Sequence, residues 1–220
     1  FAPVATISSS YTSPTNSSSI PIEVSFSKDV TDFEQGDVSV GNGSISSFSG
    51  SGSSYSFNIT PSNDGLVTID IPENVAEDDE GNGNLAAQQF SITYDGTNPT
   101  VSISSSGTSP THSSPIVAEI VFTEPVLNFE QGDVGIANGS VSAFSGADSL
   151  YDISITPDGD GTVSISIDEN IAYDQAGNGN LASDTLEIYY DDLPPIVDVD
   201  DISEAGTMDT LTITWVSTDV

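Results

Sequence analysis

The sequence is written twice. Pro3 falls on Pro99 and Asn98 on Pro194, a shift of 96 residues with no gap, and more than half of the paired residues are identical. Phe33-Glu34-Gln35-Gly36-Asp37-Val38 returns as Phe129-Glu130-Gln131-Gly132-Asp133-Val134, and Gly81-Asn82-Gly83-Asn84-Leu85-Ala86 as Gly177-Asn178-Gly179-Asn180-Leu181-Ala182. Each copy has the length of a small domain, so the fold must close within one copy. Tandem copies of such a unit serve length, reach or multivalency more readily than a single catalytic pocket. The reading is one domain over 1–98, a second over 99–194, and at 195–220 the incomplete start of a third, divergent β domain. That last segment is too short to bury a core of its own.

Within each copy the apolar residues alternate. Ile20, Ile22, Val24 and Phe26 share one face of an extended segment, as do Ile116, Ala118, Ile120 and Phe122. Tyr55, Phe57 and Ile59 form a second such set, Val67, Ile69 and Ile71 a third, and Phe90, Ile92 and Tyr94 a fourth, each with its counterpart. A period of two means half-buried strands. Further short strands are expected at 4–8, 37–41 and 44–48, and no stretch carries helical periodicity. Asn42-Gly43 and Asn63-Asp64-Gly65 read as tight hairpin turns. Seven short strands per copy, separated by frequent turns, predict an all-β chain of tandem immunoglobulin-like β-sandwiches, with a closed barrel as the second reading. The outer strands at 4–8 and 89–94 are the edges exposed to lateral contact.

Charge narrows the function. Thirty-four acids face one Lys and no Arg, a formal net charge of −33. Nothing here can displace counterions from nucleic-acid phosphates, and anionic membrane surfaces are disfavoured for the same reason. No apolar run is long enough to span a bilayer. With no Cys, neither disulfides nor thiol chemistry contribute. The carboxylates need local neutralisation, and metal cations or a saline medium are the available means.

Several catalytic and binding motifs are weighed and set aside. His112 stands in a Ser-rich stretch where the first copy has Asn16, a poor basis for a nucleophilic triad. So many acids make chance carboxylate pairs certain, which empties that signal of meaning for glycoside hydrolysis. Gly81-Asn82-Gly83-Asn84 lacks the Lys and the helix of a phosphate loop. An isopeptide bond from Lys28 is not a property of the unit, because the second copy has Glu124 there. Trp215, Phe33 and Phe129 read as core rather than as sugar platforms, and Glu23 and Glu119 as plain surface. Asn16, Asn42, Asn58 and Asn138 begin glycosylation sequons, which chance supplies in a Ser/Thr-rich chain.

The connection at 72–88 is unusually long and holds Glu73, Glu77, Asp78, Asp79, Glu80, Asn82 and Asn84; its counterpart holds Glu169, Asp174, Asn178 and Asn180. Hard oxygen donors at this density suit Ca²⁺. An EF-hand is excluded, since Asp78, Asn82 and Gly83 fit its spacing but Gln89 stands where its bidentate Glu belongs. In an immunoglobulin-like sandwich the last strand of one domain delivers its end beside the 72–88 type loop of the next. Asp95 is therefore expected near Asp174 and Asn178, with Glu130 and Asp133 close by and Asp64 approaching from the first copy. Asp191, Asp192 and Asp198 form the same kind of set at the following joint. Asp78 and Asn82 are the candidates within the first loop itself.

The set Phe26, Val30, Phe33, then Asp37-Val38-Ser39-Val40-Gly41-Asn42-Gly43, Tyr55, Thr60-Pro61, Asp78, Gly81-Asn82, Tyr94-Asp95 and Pro99 resembles the bacterial Ig-like repeats of very large surface adhesins, of the RTX and gliding types. The resemblance covers both copies nearly end to end. It implies a non-catalytic, extracellular extender, stiffened by Ca²⁺, whose partners are other repeats of the same long chain. A cell-surface or glycan ligand would lie outside this segment. A carbohydrate-binding or accessory module of a secreted polysaccharide-active enzyme is the alternative.

Overall fold

A computed structural model describes residues Phe1–Pro194; Asp198 and Trp215, together with the expected third domain, lie outside the described residues. The chain divides into two compact units. The first comprises Phe1–Val101, Phe122–Phe129 and Glu169–Ala182. The second comprises Ser102–Val121, Glu130–Asp168 and the described residues from Ser183 onward.

The first unit contains strands β1 (Ala5–Ser9), β2 (Ile20–Val30), β3 (Ser39–Gly41), β4 (Gly43–Pro61), β5 (Gly65–Asp70) and β6 (Phe90–Tyr94). They form two antiparallel sheets, ordered β1-β2-β4 and β3-β5-β6. The alternating sets found in the sequence are the inward faces. Ile20, Val24, Ile59, Val67 and Ile69 are fully buried between the sheets, and Phe26, Phe33 and Tyr55 close one end with edge-on ring contacts. Each such aliphatic side chain contributes about 2 kcal/mol when taken out of water. Phe33 is buried at this end, in keeping with its reading as core.

β4 is 19 residues long and doubles back on itself around Gly50 and Gly52, both at positive φ. Ser49 Oγ on one arm lies 3.2 Å from Ser56 Oγ on the other. A side chain at Gly50 would place its Cβ 2.4 Å from the Ser54 carbonyl oxygen, so the close approach of the two arms requires glycine.

The second copy repeats this plan. β10 (Gly139–Ala147), β11 (Leu150–Pro157), β8 (Ile116–Phe122) and β7 (Val101–Ser104) form one sheet in that order. β13 (Leu186–Tyr190), β12 (Gly161–Ile167) and β9 (Val134–Ala137) form the other. Here the doubled-back strand of the first copy is two strands, β10 and β11. Four strands against three, in this order, is the constant-type immunoglobulin arrangement rather than a closed barrel.

Two turn readings are corrected. Neither Asn42-Gly43 nor Asn63-Asp64-Gly65 closes a hairpin. β3 pairs with β5 while β4 pairs with β2, so both turns carry the chain from one sheet to the other. They are tied to each other instead: the Asn42 amide donates to the Asn63 carbonyl oxygen and the Asn63 backbone N–H donates to Asn42 Oδ1. The Ser-rich connection after β1 also differs from a plain loop. Thr15 is buried and forms a parallel bridge with Tyr94, and its backbone bonds Thr93 and Asp95. It therefore covers the end of β6 that alternation alone leaves as an exposed edge, and Thr111 does the same for Tyr190.

Candidate metal centre

The repeated Gly-Asn-Gly-Asn motif builds the loop that presents the acids. In the first copy Asn84 is buried at the root of the 72–88 connection. Its Oδ1 accepts from the backbone N–H groups of Val75 and Ala76, and its Nδ2 donates to the Pro72 and Leu85 carbonyl oxygens. Asn180 binds Ile171, Ala172 and Leu181 in the same manner. Gly83 and Gly179 pass so close to Asn74 and Asn170 that a Cβ would lie within 2.4 Å of a side-chain oxygen. These asparagines and glycines are structural staples of the loop.

What they present is one buried aspartate per copy. Asp78 Oδ1 accepts from the backbone of Glu80 and Asn82, and the Asn82 amide reaches both carboxylate oxygens. Asp174 is 3% exposed, and its carboxylate accepts from the backbone of Gly177 and Asn178 and from the Asn178 amide. Both carboxylates are held by loop backbone N–H groups and by the Asn82 or Asn178 amide, but their surroundings are opposite.

In the first copy the cradle faces Lys28. Its Nζ donates to Asp78 Oδ2 at 2.6 Å and lies 3.8 Å from Glu80 Oε2. Lys28, with the backbone bond from Asn82 next, holds the Asp78 carboxyl well below the usual carboxylate range, and the Lys28 ammonium is correspondingly raised. The contact is an ion pair.

In the second copy, and within the first compact unit, the same place holds acids only. Asp95, Glu124 and Asp174 bring one carboxylate oxygen each within 4.8 Å of one another. Burial first, then repulsion from Asp174, Asp95 and Asp64, pushes the Glu124 carboxyl up. Each pair of charges at that spacing repels by a few kcal/mol, about 3 at an effective dielectric near 20. The linker segment is also held in place by neutral bonds. Asn178 Nδ2 donates to the Asp95 carbonyl oxygen at 2.8 Å, Asn98 Nδ2 donates to the Gly179 carbonyl oxygen, and the Leu181 backbone N–H donates to that of Pro99.

A family model described as the bacterial Ig-like domain matches residues 1–94 and again 95–190. The chain belongs to the bacterial Ig-like domain family. No curated protein matches it. Among solved structures, it is similar to FdeC, an Escherichia coli adhesin described as eliciting protection against urinary tract infections, at 10% identity and a TM-score of 0.49 over 85% of this chain and 64% of that one. It is also similar to the Yersinia pseudotuberculosis adhesin InvE, at 13% identity and a TM-score of 0.31 over 84% and 58%. A third is invasin, described as a bacterial integrin-binding protein, at 10% identity and a TM-score of 0.32 over 86% and 39%. The chain thus spans less than two thirds of the length of each.

Of the acids singled out in the sequence, Asp95 and Asp174 come together, with Asn178 bridging them. Glu124 was missed as a site residue, because a glutamate just past a strand reads as surface. The signal was present: Glu124 replaces Lys28 opposite a loop that keeps its aspartate and its Gly-Asn-Gly-Asn motif. Asp64 is directed elsewhere, accepting from the Thr97 hydroxyl and the Gly96 backbone N–H, which lower its pKa in that order. It orients the linker; Asp160 accepts from the Asp192 backbone N–H in the second copy. Glu130 and Asp133 face each other across a short 3-10 turn, Glu130 N–H donating to Asp133 Oδ2 at 2.7 Å, as Glu34 and Asp37 do. Asp191, Asp192 and His112 line one exposed hollow of about 430 Å³. Glu23 and Glu119 are exposed. Among the described residues no helix is long and apolar enough to cross a membrane.

Proposed function

We propose that the chain is a non-catalytic pair of extender repeats from a long extracellular adhesin or surface filament, and that Ca²⁺ held by Asp95, Glu124 and Asp174 fastens the linker between the repeats. The observation that carries this is the convergence of three carboxylates, one of them deeply buried, at the point where one repeat gives way to the next. Membership of the bacterial Ig-like family and the tandem copying support the extender part of the reading. The donor set fits the ion. Carboxylates that can each turn one or two oxygens inward suit the irregular six- to eight-fold shell of Ca²⁺ better than the strict octahedron of Mg²⁺. Bound there, the ion supplies positive charge that the second copy lacks and ties the linker residue Asp95 to the loop residue Asp174. Neighbouring repeats of the same long chain are its first partners, and an extracellular, calcium-containing medium is its setting.

Thermal melting and small-angle scattering with CaCl2 and then with excess EGTA test the proposal. Ca²⁺ raises the melting temperature by mass action, and chelation lowers it and broadens the distribution of end-to-end distances. Identical melting and scattering in the two media would overturn it.

A further inference from the structure

Lys28 and Glu124 occupy the same place in the two repeats, before the same buried aspartate and the same Asn82 or Asn178 brace. One is a cation and the other an acid. We infer that this position selects how a repeat neutralises its buried aspartate: a lysine makes the loop self-sufficient, and a glutamate hands the task to a divalent ion. The inference rests on the calcium reading above and goes beyond it by assigning Lys28 as the first repeat's built-in substitute for the ion.

Three observations support it. The Lys28 ammonium sits at contact distance from the Asp78 carboxylate, in the place that Glu124 takes opposite Asp174. The loop acids change together with it. Glu80 lies 3.8 Å from Lys28 Nζ as a second acid supplied from within the repeat, while its counterpart is Ala176. The further acid beside Asp174 comes from the linker, as Asp95. The first loop thus carries a complete Lys-Asp-Glu set inside one repeat. The second carries Glu-Asp plus an acid from the linker, with no cation of its own. A lysine ammonium is a compact, singly charged group tethered to the chain, so it needs no supply from solution and does not respond to a chelator. A joint built with glutamate responds to both.

Hydrogen exchange of the full chain, read on peptides covering 73–86 and 169–182, with calorimetric CaCl2 titration alongside, tests the selector. In the wild type, Ca²⁺ slows exchange in 169–182 and leaves 73–86 unchanged. Glu124→Lys abolishes Ca²⁺ binding at this site, with at least a tenfold loss of affinity. In EGTA the same variant protects 169–182 to nearly the level of the calcium-loaded wild type. Glu124→Gln loses the ion equally but leaves 169–182 unprotected in EGTA. Should Glu124→Lys in EGTA exchange as fast as Glu124→Gln, the inference is overturned while the calcium reading stands; should it still bind Ca²⁺ like the wild type, Glu124 is no ligand and both are overturned. A wild type that takes up no Ca²⁺ overturns both. Lys28→Met gives an independent arm if Glu124→Lys fails to fold: it must speed exchange in 73–86 with or without Ca²⁺, and unchanged exchange there contradicts the role given to Lys28.

Discussion

At the scale of single residues, the two loops show how one side chain changes the electrostatic task of its neighbours. The Asp78 carboxyl is held below its ordinary value of 3.8, first by Lys28. A depressed carboxyl contributes stability above its unfolded pKa, and that contribution is lost only as pH falls through the lowered folded value. The first loop should therefore stay closed in acid well below pH 3.8. Lys28→Met removes the partner of a buried carboxylate, and the acid opening of 73–86, followed by amide exchange against pH, should move to higher pH. The staples are a second residue-scale case. Asn84→Ala leaves the backbone N–H groups of Val75 and Ala76 without an acceptor in a buried setting, at about 1–3 kcal/mol each. Asn84→Ala and Asn180→Ala should each lower stability in urea unfolding by about 2–4 kcal/mol. Sequence reading placed Asp95 near Asp174 and Asn178 because an immunoglobulin-like sandwich delivers the end of its last strand beside this loop of the next domain. It missed Glu124 because being an acid is no signal in a chain this acidic. Only its mismatch with Lys28 carries information.

At the scale of elements, alternation made the buried faces of β2, β5 and β6 legible, since a half-buried strand has no other periodicity available to it. Turn chemistry was less legible. Asn-Gly marks a reversal of the chain through a residue at positive φ, and Asn42 has φ 58°, but the dipeptide does not say which sheet the chain enters next. The true hairpin lies in the Ser/Gly run around Gly50, where small residues gave no hydrophobic contrast. Its requirement is steric: a Cβ at Gly50 would meet the backbone of Ser54 and Tyr55 at 2.4–2.5 Å. Gly50→Ala should destabilise by about 2 kcal/mol or more, a strained φ added to a backbone clash. Gly146→Ala should behave alike, because its Cβ would lie 2.3 Å from the Leu150 carbonyl oxygen. Denaturant midpoints of the two variants check this, and a change below about 0.5 kcal/mol would refute it.

At the scale of the whole molecule, the fold is held by apolar burial while a net charge of −33 works against compaction. Monovalent salt screens that repulsion beyond about 8 Å at physiological strength, so in EGTA the melting temperature should rise steadily with NaCl. Millimolar CaCl2 should produce a further rise that NaCl at equal ionic strength does not, since the site acts at contact distance. Glu124→Gln should keep the NaCl response and lose the calcium-specific increment. The division into two sandwiches was legible from the repeat alone. The grouping of Phe122–Phe129 and Glu169–Ala182 with the first unit was not, because it depends on contacts of the linker that no periodicity records.

The most direct measurement is anomalous diffraction from crystals of the full chain grown in millimolar CaCl2. The expected result is an ion among Asp95, Glu124 and Asp174, about 2.3–2.6 Å from their oxygens, with none beside Asp78 and Lys28. A well-ordered linker with no ion there, and the three carboxylates turned apart into water, would contradict the claim.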